Sequence, residues 1–146
     1  MREFDLIEPF PAQRIANRTI ENKLIASNQR KEFDEGRREN GYGGLKYDGR
    51  WLPIARKLIH TYQLDHFSWF LQLGCEKGFL LSDLRSCCEK MKLRGVEISK
   101  YARDHAKTDV KGYIHDGSYT EIPFKAKQFH FVLALGVVYT LSIKDA

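Results

Sequence analysis

The chain has 146 residues, the size of one globular domain, with 42% hydrophobic and 29% charged side chains. That balance excludes a disordered chain, a collagen and a disulfide-rich miniprotein. The formal net charge is +5 and is spread evenly, with 12 basic and 10 acidic side chains over residues 1–66 and 12 and 9 over residues 67–146.

In chain order, residues 1–10 carry three acidic side chains and no apolar core, so they do not read as a signal peptide. Residues 12–40 are polar, with a sparse apolar stripe of Ile15, Ile20, Leu24, Ile25 and Phe33. The stripe predicts one amphipathic helix or a helix pair. Gly41, Gly43 and Gly44 then enforce a turn or loop. Trp51, Ile54, Ala55, Leu58, Ile59 and Tyr62 recur at threes and fours and predict a helix over 51–62. Asp48 is expected to cap it, with Pro53 in its first turn.

From residue 67 the periodicity changes. Residues 67–73 form a nearly continuous apolar run, as in a buried parallel strand. A loop at 74–78 and a helix at 79–90 follow. A second strand is predicted over 92–97, then a helix capped by Ser99 and running through Lys107. A weaker third strand covers 112–115, a loop with Pro123 covers 117–128, and a fourth strand covers 129–135. The apolar stretch 129–141 is too short for a membrane span and contains His130. Strands alternating with helices predict βαβ units, a parallel sheet and helices on both faces. Ligands in such folds bind outside the carboxyl ends of the strands. The informative residues are therefore those just after Leu73, Val96, Ile114 and Leu135.

The first strand ends in Gly74-Cys75-Glu76-Lys77-Gly78 and a helix follows; Glu97 ends the second strand 19 residues after Gly78. Glycines let a backbone approach a ligand closely, and a carboxylate at the second strand's end can accept from both ribose hydroxyls of an adenosine. The G-x-x-x-G spacing fits a dinucleotide fingerprint poorly, and Phe79 after Gly78 excludes a P-loop. A cofactor that brings no pyrophosphate to the helix suits it better. Glu97 alone could equally be a helix-capping carboxylate.

Here the sequence resembles the class I S-adenosylmethionine-dependent methyltransferases. The run Leu71-Gln72-Leu73-Gly74-Cys75-Glu76-Lys77-Gly78 is similar to the family's first motif, and Leu93-Arg94-Gly95-Val96-Glu97-Ile98-Ser99 to its second. Gly117-Ser118-Tyr119-Thr120-Glu121-Ile122-Pro123-Phe124 resembles the loop before the fourth strand, and Gln128-Phe129-His130-Phe131-Val132 that strand. The segment from Gly43 to Pro53 resembles the lead-in of a subgroup. The resemblance implies a Rossmann-like, three-layer αβα fold with parallel strand order 3-2-1-4 and N-terminal helices before it. It divides the chain into a helical lead-in or cap, 1–66, and a partial cofactor-binding domain, 67–146. It implies that Gly74, Cys75 and Gly78 line the methionine part of S-adenosylmethionine. Glu97 would hold the ribose, Ile98 would pack on the adenine, and Ser118 and Tyr119 would sit at its edge. Leu135 and Gly136 would lie beneath the methyl-bearing sulfur. The family has an acid at Gln72, a glycine at Glu76, an acid or asparagine at Ser118 and an aspartate at His130. These four departures together predict altered cofactor binding.

By the same resemblance the family's sheet continues past a fourth strand, so the chain is expected to be truncated, with that strand an exposed edge able to pair with another copy. Two readings follow: a methyltransferase acting on an unidentified small-molecule or macromolecular acceptor, or a truncated or degenerate relative serving as a binding module. An unrelated α/β nucleotide-binding protein is a third. No general base stands out. Cys75, Cys87 and Cys88 fit neither a disulfide framework nor a zinc pattern, so no metal is expected and the thiols read as reduced, in a cytoplasmic protein. Without a basic stripe, nucleic-acid binding is not expected.

Overall fold

The computed structural model describes residues 46–137. The helices expected within 12–40 and the glycine turn at 41–44 lie outside the described residues. Helix α1 (Leu52–Tyr62) leads into strand β1 (Trp69–Leu73), helix α2 (Phe79–Cys87), strand β2 (Lys92–Glu97) and the short helix α3 (Lys100–Asp104). A single 3-10 turn (Lys111–Tyr113), strand β3 (Ile114–Asp116) and strand β4 (Phe131–Ala134) complete the order.

The four strands are all parallel, in the order β3-β2-β1-β4. This is the Rossmann-like methyltransferase arrangement that the sequence resemblance implies. Alternation decides which side chain goes where. Phe70 and Leu93 face one side of the sheet, where Ala55 and Leu58 of α1 and Leu80, Leu81 and Leu84 of α2 form the main core. Each of these leucines is almost completely buried, a contribution of about 1.5–3 kcal/mol apiece from apolar burial. Leu71, Leu73 and Val96 face the other side and pack with Val137, Tyr119, Phe124 and Phe129. Helices were expected on both faces; among the described residues this second face is packed by loop side chains. The two helix-bearing crossovers, β1 to β2 and β2 to β3, step the same way across the sheet, and right-handedness keeps their helices on one side.

Several boundaries differ from the sequence reading for identifiable reasons. Asp48 does not cap α1: its carboxylate accepts from the Arg50 backbone amide and side chain, with a 2.6 Å ion pair, and Trp51 is the N-cap residue without a side-chain bond. Ser99 does cap α3, its Oγ accepting from the Ala102 amide at 3.2 Å. That helix stops at Asp104 rather than Lys107, because the Lys107 amide donates to the Lys77 carbonyl at 3.0 Å instead of continuing the helix. Gly112 lies in the 3-10 turn, so β3 starts only at Ile114. β1 starts at Trp69 because Asp65 ties Phe67 and Ser68 into a turn, through the Phe67 amide and the Ser68 hydroxyl, both at 2.9 Å. β4 starts at Phe131: the Trp69 amide donates to Nδ1 of His130 at 2.9 Å, so the imidazole closes the ladder there. β4 is the sheet edge among the described residues, and Val132 on it is 51% exposed. No described helix is long and apolar enough to cross a membrane.

Candidate functional site

The order β3-β2-β1-β4 reverses direction between β1 and β4, and the crevice at such a point lies at the carboxyl ends of the strands. The segment 74–78 leaves β1 there. Gly74, Glu76 and Gly78 take left-handed φ values of +66°, +51° and +72°. Alternate left-handed residues curl the backbone into a small bowl, a conformation that glycine adopts freely and glutamate does not. Glu76 thus stands at the one left-handed position of the bowl that lacks a glycine.

The bowl's amides are largely committed. Those of Gly74 and Cys75 donate to the Val96 carbonyl at 2.9 and 3.3 Å, that of Gly78 to the Cys75 carbonyl at 2.8 Å, and that of Glu76 to Oε2 of Glu97 at 2.8 Å. A phosphate cradle needs amides left over for the anion, so this geometry does not suit one.

Glu97, the last residue of β2, is 0% exposed. Its Oε1 accepts from the Ser99 amide at 2.7 Å and its Oε2 from Glu76. Burial raises its carboxyl pKa, opposed by these two amides and by Arg103. Arg103 itself donates to the Glu97 carbonyl at 2.6 Å and pairs with Asp116 at 2.9 Å. One carboxylate therefore ties the loop after β1 to Ser99, the residue that caps α3.

Tyr119 comes from the loop after β3 and reaches the same crevice. Its hydroxyl would lie 3.5 Å from a Cβ added at Gly74, and Cγ2 of Val137 would lie 2.7 Å from it. Burial, then the charge of Glu97, pushes its phenol above the ordinary tyrosine range. Burial and Glu97 also push the Cys75 thiol well up, which disfavours the thiolate.

The structure therefore brings Gly74, Cys75, Glu97 and Tyr119 together, with Gly78 at the base of α2. Ile98 follows at the crevice mouth, 56% exposed. Ser118 Oγ bonds Thr120 Oγ1 at 2.8 Å. Leu135 and Gly136 follow β4, Gly136 with φ +71°, and it is the next residue, Val137, that enters the Gly74 contact. Nothing in the sequence pattern marks Val137. Gln72, one residue before the end of β1, is 7% exposed, and its Oε1 has no hydrogen-bond partner among the described residues.

Comparison with known proteins bears on these features. The family described as "Methyltransferase domain" matches residues 71–146, slightly more than half of the chain. No curated protein sequence matches significantly. The solved structure of YjhP from E. coli is similar over 80% of this chain and 45% of its own, at 12% identity and a TM-score of 0.51. The likeness is one of fold. The structure of MccD protein matches at 19% identity and a TM-score of 0.48, over 53% of this chain and 37% of its own. That of coclaurine N-methyltransferase bound to N-methylheliamine and SAH matches at 12% and 0.48, over 88% and 43%. The chain spans less than half the length of each of these structures.

Proposed function

Since the chain belongs to the class I S-adenosylmethionine-dependent methyltransferase family, we propose that it binds S-adenosylmethionine in the crevice after β1 and β2, as the cofactor-holding part of an enzyme that methylates an acceptor. The observation that carries this reading is the buried carboxylate of Glu97 tied by a 2.8 Å bond to the left-handed loop after β1.

The donor and acceptor set suits the group. The Glu97 carboxylate, whose oxygens take the Ser99 and Glu76 amides, is the acceptor that a ribose hydroxyl would meet at this crevice. The orphaned Oε1 of Gln72, two residues before Gly74, suits an ammonium donor. The committed amides of the bowl favour a ligand without phosphates over ATP or a dinucleotide. Bound S-adenosylmethionine would supply a methyl group on a cationic sulfonium. The residues' part is to bind and align: Glu97 and Gln72 fix the two ends, the Gly74 backbone permits close approach, and Tyr119 with Val137 keeps water out of the crevice. Alignment is the main requirement for an in-line methyl displacement, and a base is needed only if the acceptor must lose a proton. In this reading residues 1–66 form a lead-in over the cofactor domain, and the exposed edge of β4 offers a place for another strand or a second copy to pair.

Calorimetry with S-adenosylhomocysteine, ATP and NAD tests the proposal. Saturable binding of the first alone is expected; preference for either phosphate-bearing ligand would overturn it.

A further inference from the structure

Counting along the chain finds no basic stripe, but the fold gathers cations at the end of the sheet opposite Gly74 and Glu97. Trp69 begins β1, Lys92 begins β2, and Tyr113 immediately precedes β3. Lys92 Nζ lies 5.1 Å from the centre of the Trp69 ring, and the Arg94 guanidinium carbon 5.6 Å from it. The same Arg94 lies 5.8 Å from the Tyr113 ring, and Arg85 of α2 lies 5.3 Å from that ring. Arg85 also donates to the Tyr113 hydroxyl at 2.6 Å. The side chains alternate in a ladder: Lys92, Trp69, Arg94, Tyr113, Arg85. Lys92, Arg94, Tyr113 and Arg85 border a cleft of about 220 Å³ that Lys90 and Glu89 also line.

Four cations therefore meet one carboxylate, and none of the four is ion-paired among the described residues. Compensation of the helix dipole accounts for Arg85 and Lys90, which sit at or just beyond the carboxyl end of α2. It does not account for Lys92 and Arg94, which are on β2. Arg94 bonds the Leu93 carbonyl at 2.7 Å and makes no other hydrogen bond among the described residues.

We infer that this ladder docks a single-stranded nucleic acid through its phosphodiester backbone. A guanidinium presents a planar fork of donors that matches phosphate oxygens. Cations resting on aromatic faces are already ordered, so little freedom is lost when an anion arrives. The cations are set one after another around a single cleft, which suits a strand of successive phosphates rather than a flat lipid surface. A strand brings one charge per phosphate, and several cations can each neutralise one. This surface lies at the far end of the sheet from the cofactor crevice, and the inference does not depend on what that crevice binds.

The test is fluorescence anisotropy of a labelled 12-nucleotide oligouridylate with the full chain between 50 and 200 mM salt. The logarithm of the association constant is expected to fall against log salt with a slope of roughly −2 to −3, from about −0.7 per neutralised phosphate on a single strand. Lys92→Gln with Arg94→Gln should flatten the slope by about 1.4 and weaken binding at least tenfold at 50 mM salt. The exposed single change Lys92→Gln, with an unaltered circular dichroism spectrum, should flatten it by about 0.7. Lys125→Gln with Lys127→Gln, in the loop before β4, should leave the affinity unchanged. No binding, binding without salt dependence, or binding indifferent to Lys92 and Arg94 would overturn the inference. Equal competition by polyglutamate of matched charge would overturn the nucleic-acid assignment in favour of an acidic peptide.

Discussion

Replacing Glu76 by glycine should make the protein more stable, although it removes a side chain. Glu76 holds φ at +51°, where an L-residue is disfavoured by about 1–2 kcal/mol. Glycine relieves that cost but gives the unfolded chain more freedom, which takes back about 0.4–1 kcal/mol. The bond from the residue-76 amide to Glu97 belongs to the backbone and survives the change. The net expectation is a gain of about 0.5–1 kcal/mol, a shift of a few tenths of a molar in the urea midpoint at unchanged slope. Fluorescence of Trp51 and Trp69 can report the transition. Glu76→Ala provides the control, since it keeps a Cβ at the same φ and should show no gain. A less stable Glu76→Gly protein, or an equal gain from alanine, would mean that side-chain contacts and not backbone strain dominate at this position.

Three further outcomes can be measured. Gly78→Ala puts a Cβ at φ +72° and 2.9 Å from both Ile114 Cδ1 and Val110 Cγ2, so a loss of about 2–4 kcal/mol is expected in urea; a loss below about 1 kcal/mol would contradict the packing described. Because burial raises the Glu97 pKa, the folded state holds that proton more tightly than the unfolded chain does. Its contribution is therefore fully present below the unfolded value of about 4.3 and is lost as pH rises towards the folded value. The stability difference between wild type and Glu97→Gln should accordingly shrink over that window, and a growing difference would reverse the sign of the shift. Tyr119→Ala removes the ring that with Val137 closes the crevice beside Gly74 and should weaken S-adenosylhomocysteine binding roughly tenfold in calorimetry; Tyr119→Phe, which keeps the ring, should not, and equal affinities for alanine and wild type would show that the ring takes no part in the crevice.

How far the sequence carried depended on whether a feature was local. β2 was readable to its last residue because its run ends in a strand-terminating Glu97 followed by a capping Ser99, and both signals lie within three residues. The strand order came from the family resemblance, which rests on several motifs together and survives when single motif residues such as Gln72 and Glu76 depart from the pattern. The early end of α3 was not readable, since it depends on the Lys77 carbonyl, thirty residues earlier, taking the Lys107 amide. His130 read as a departure from an aspartate, but its imidazole accepts the Trp69 amide across 61 residues of chain. The same distance effect hid Val137 beneath Gly74 and the assembly of Lys92, Arg94 and Arg85 around two aromatic rings. Charge counted along a chain is blind to such grouping, because the sheet register places residues 69 and 92 side by side.

The proposed cofactor site is the crevice that joins the loop after β1 to Glu97. The most direct measurement is a ¹⁵N amide spectrum of the labelled protein titrated with S-adenosylhomocysteine. The amides of Gly74, Glu76, Gly78, Ile98 and Tyr119 should move together and saturate, while those of Lys92 and Arg94 stay in place. Unmoved crevice amides at saturating ligand, or shifts confined to the opposite end of the sheet, would contradict the account.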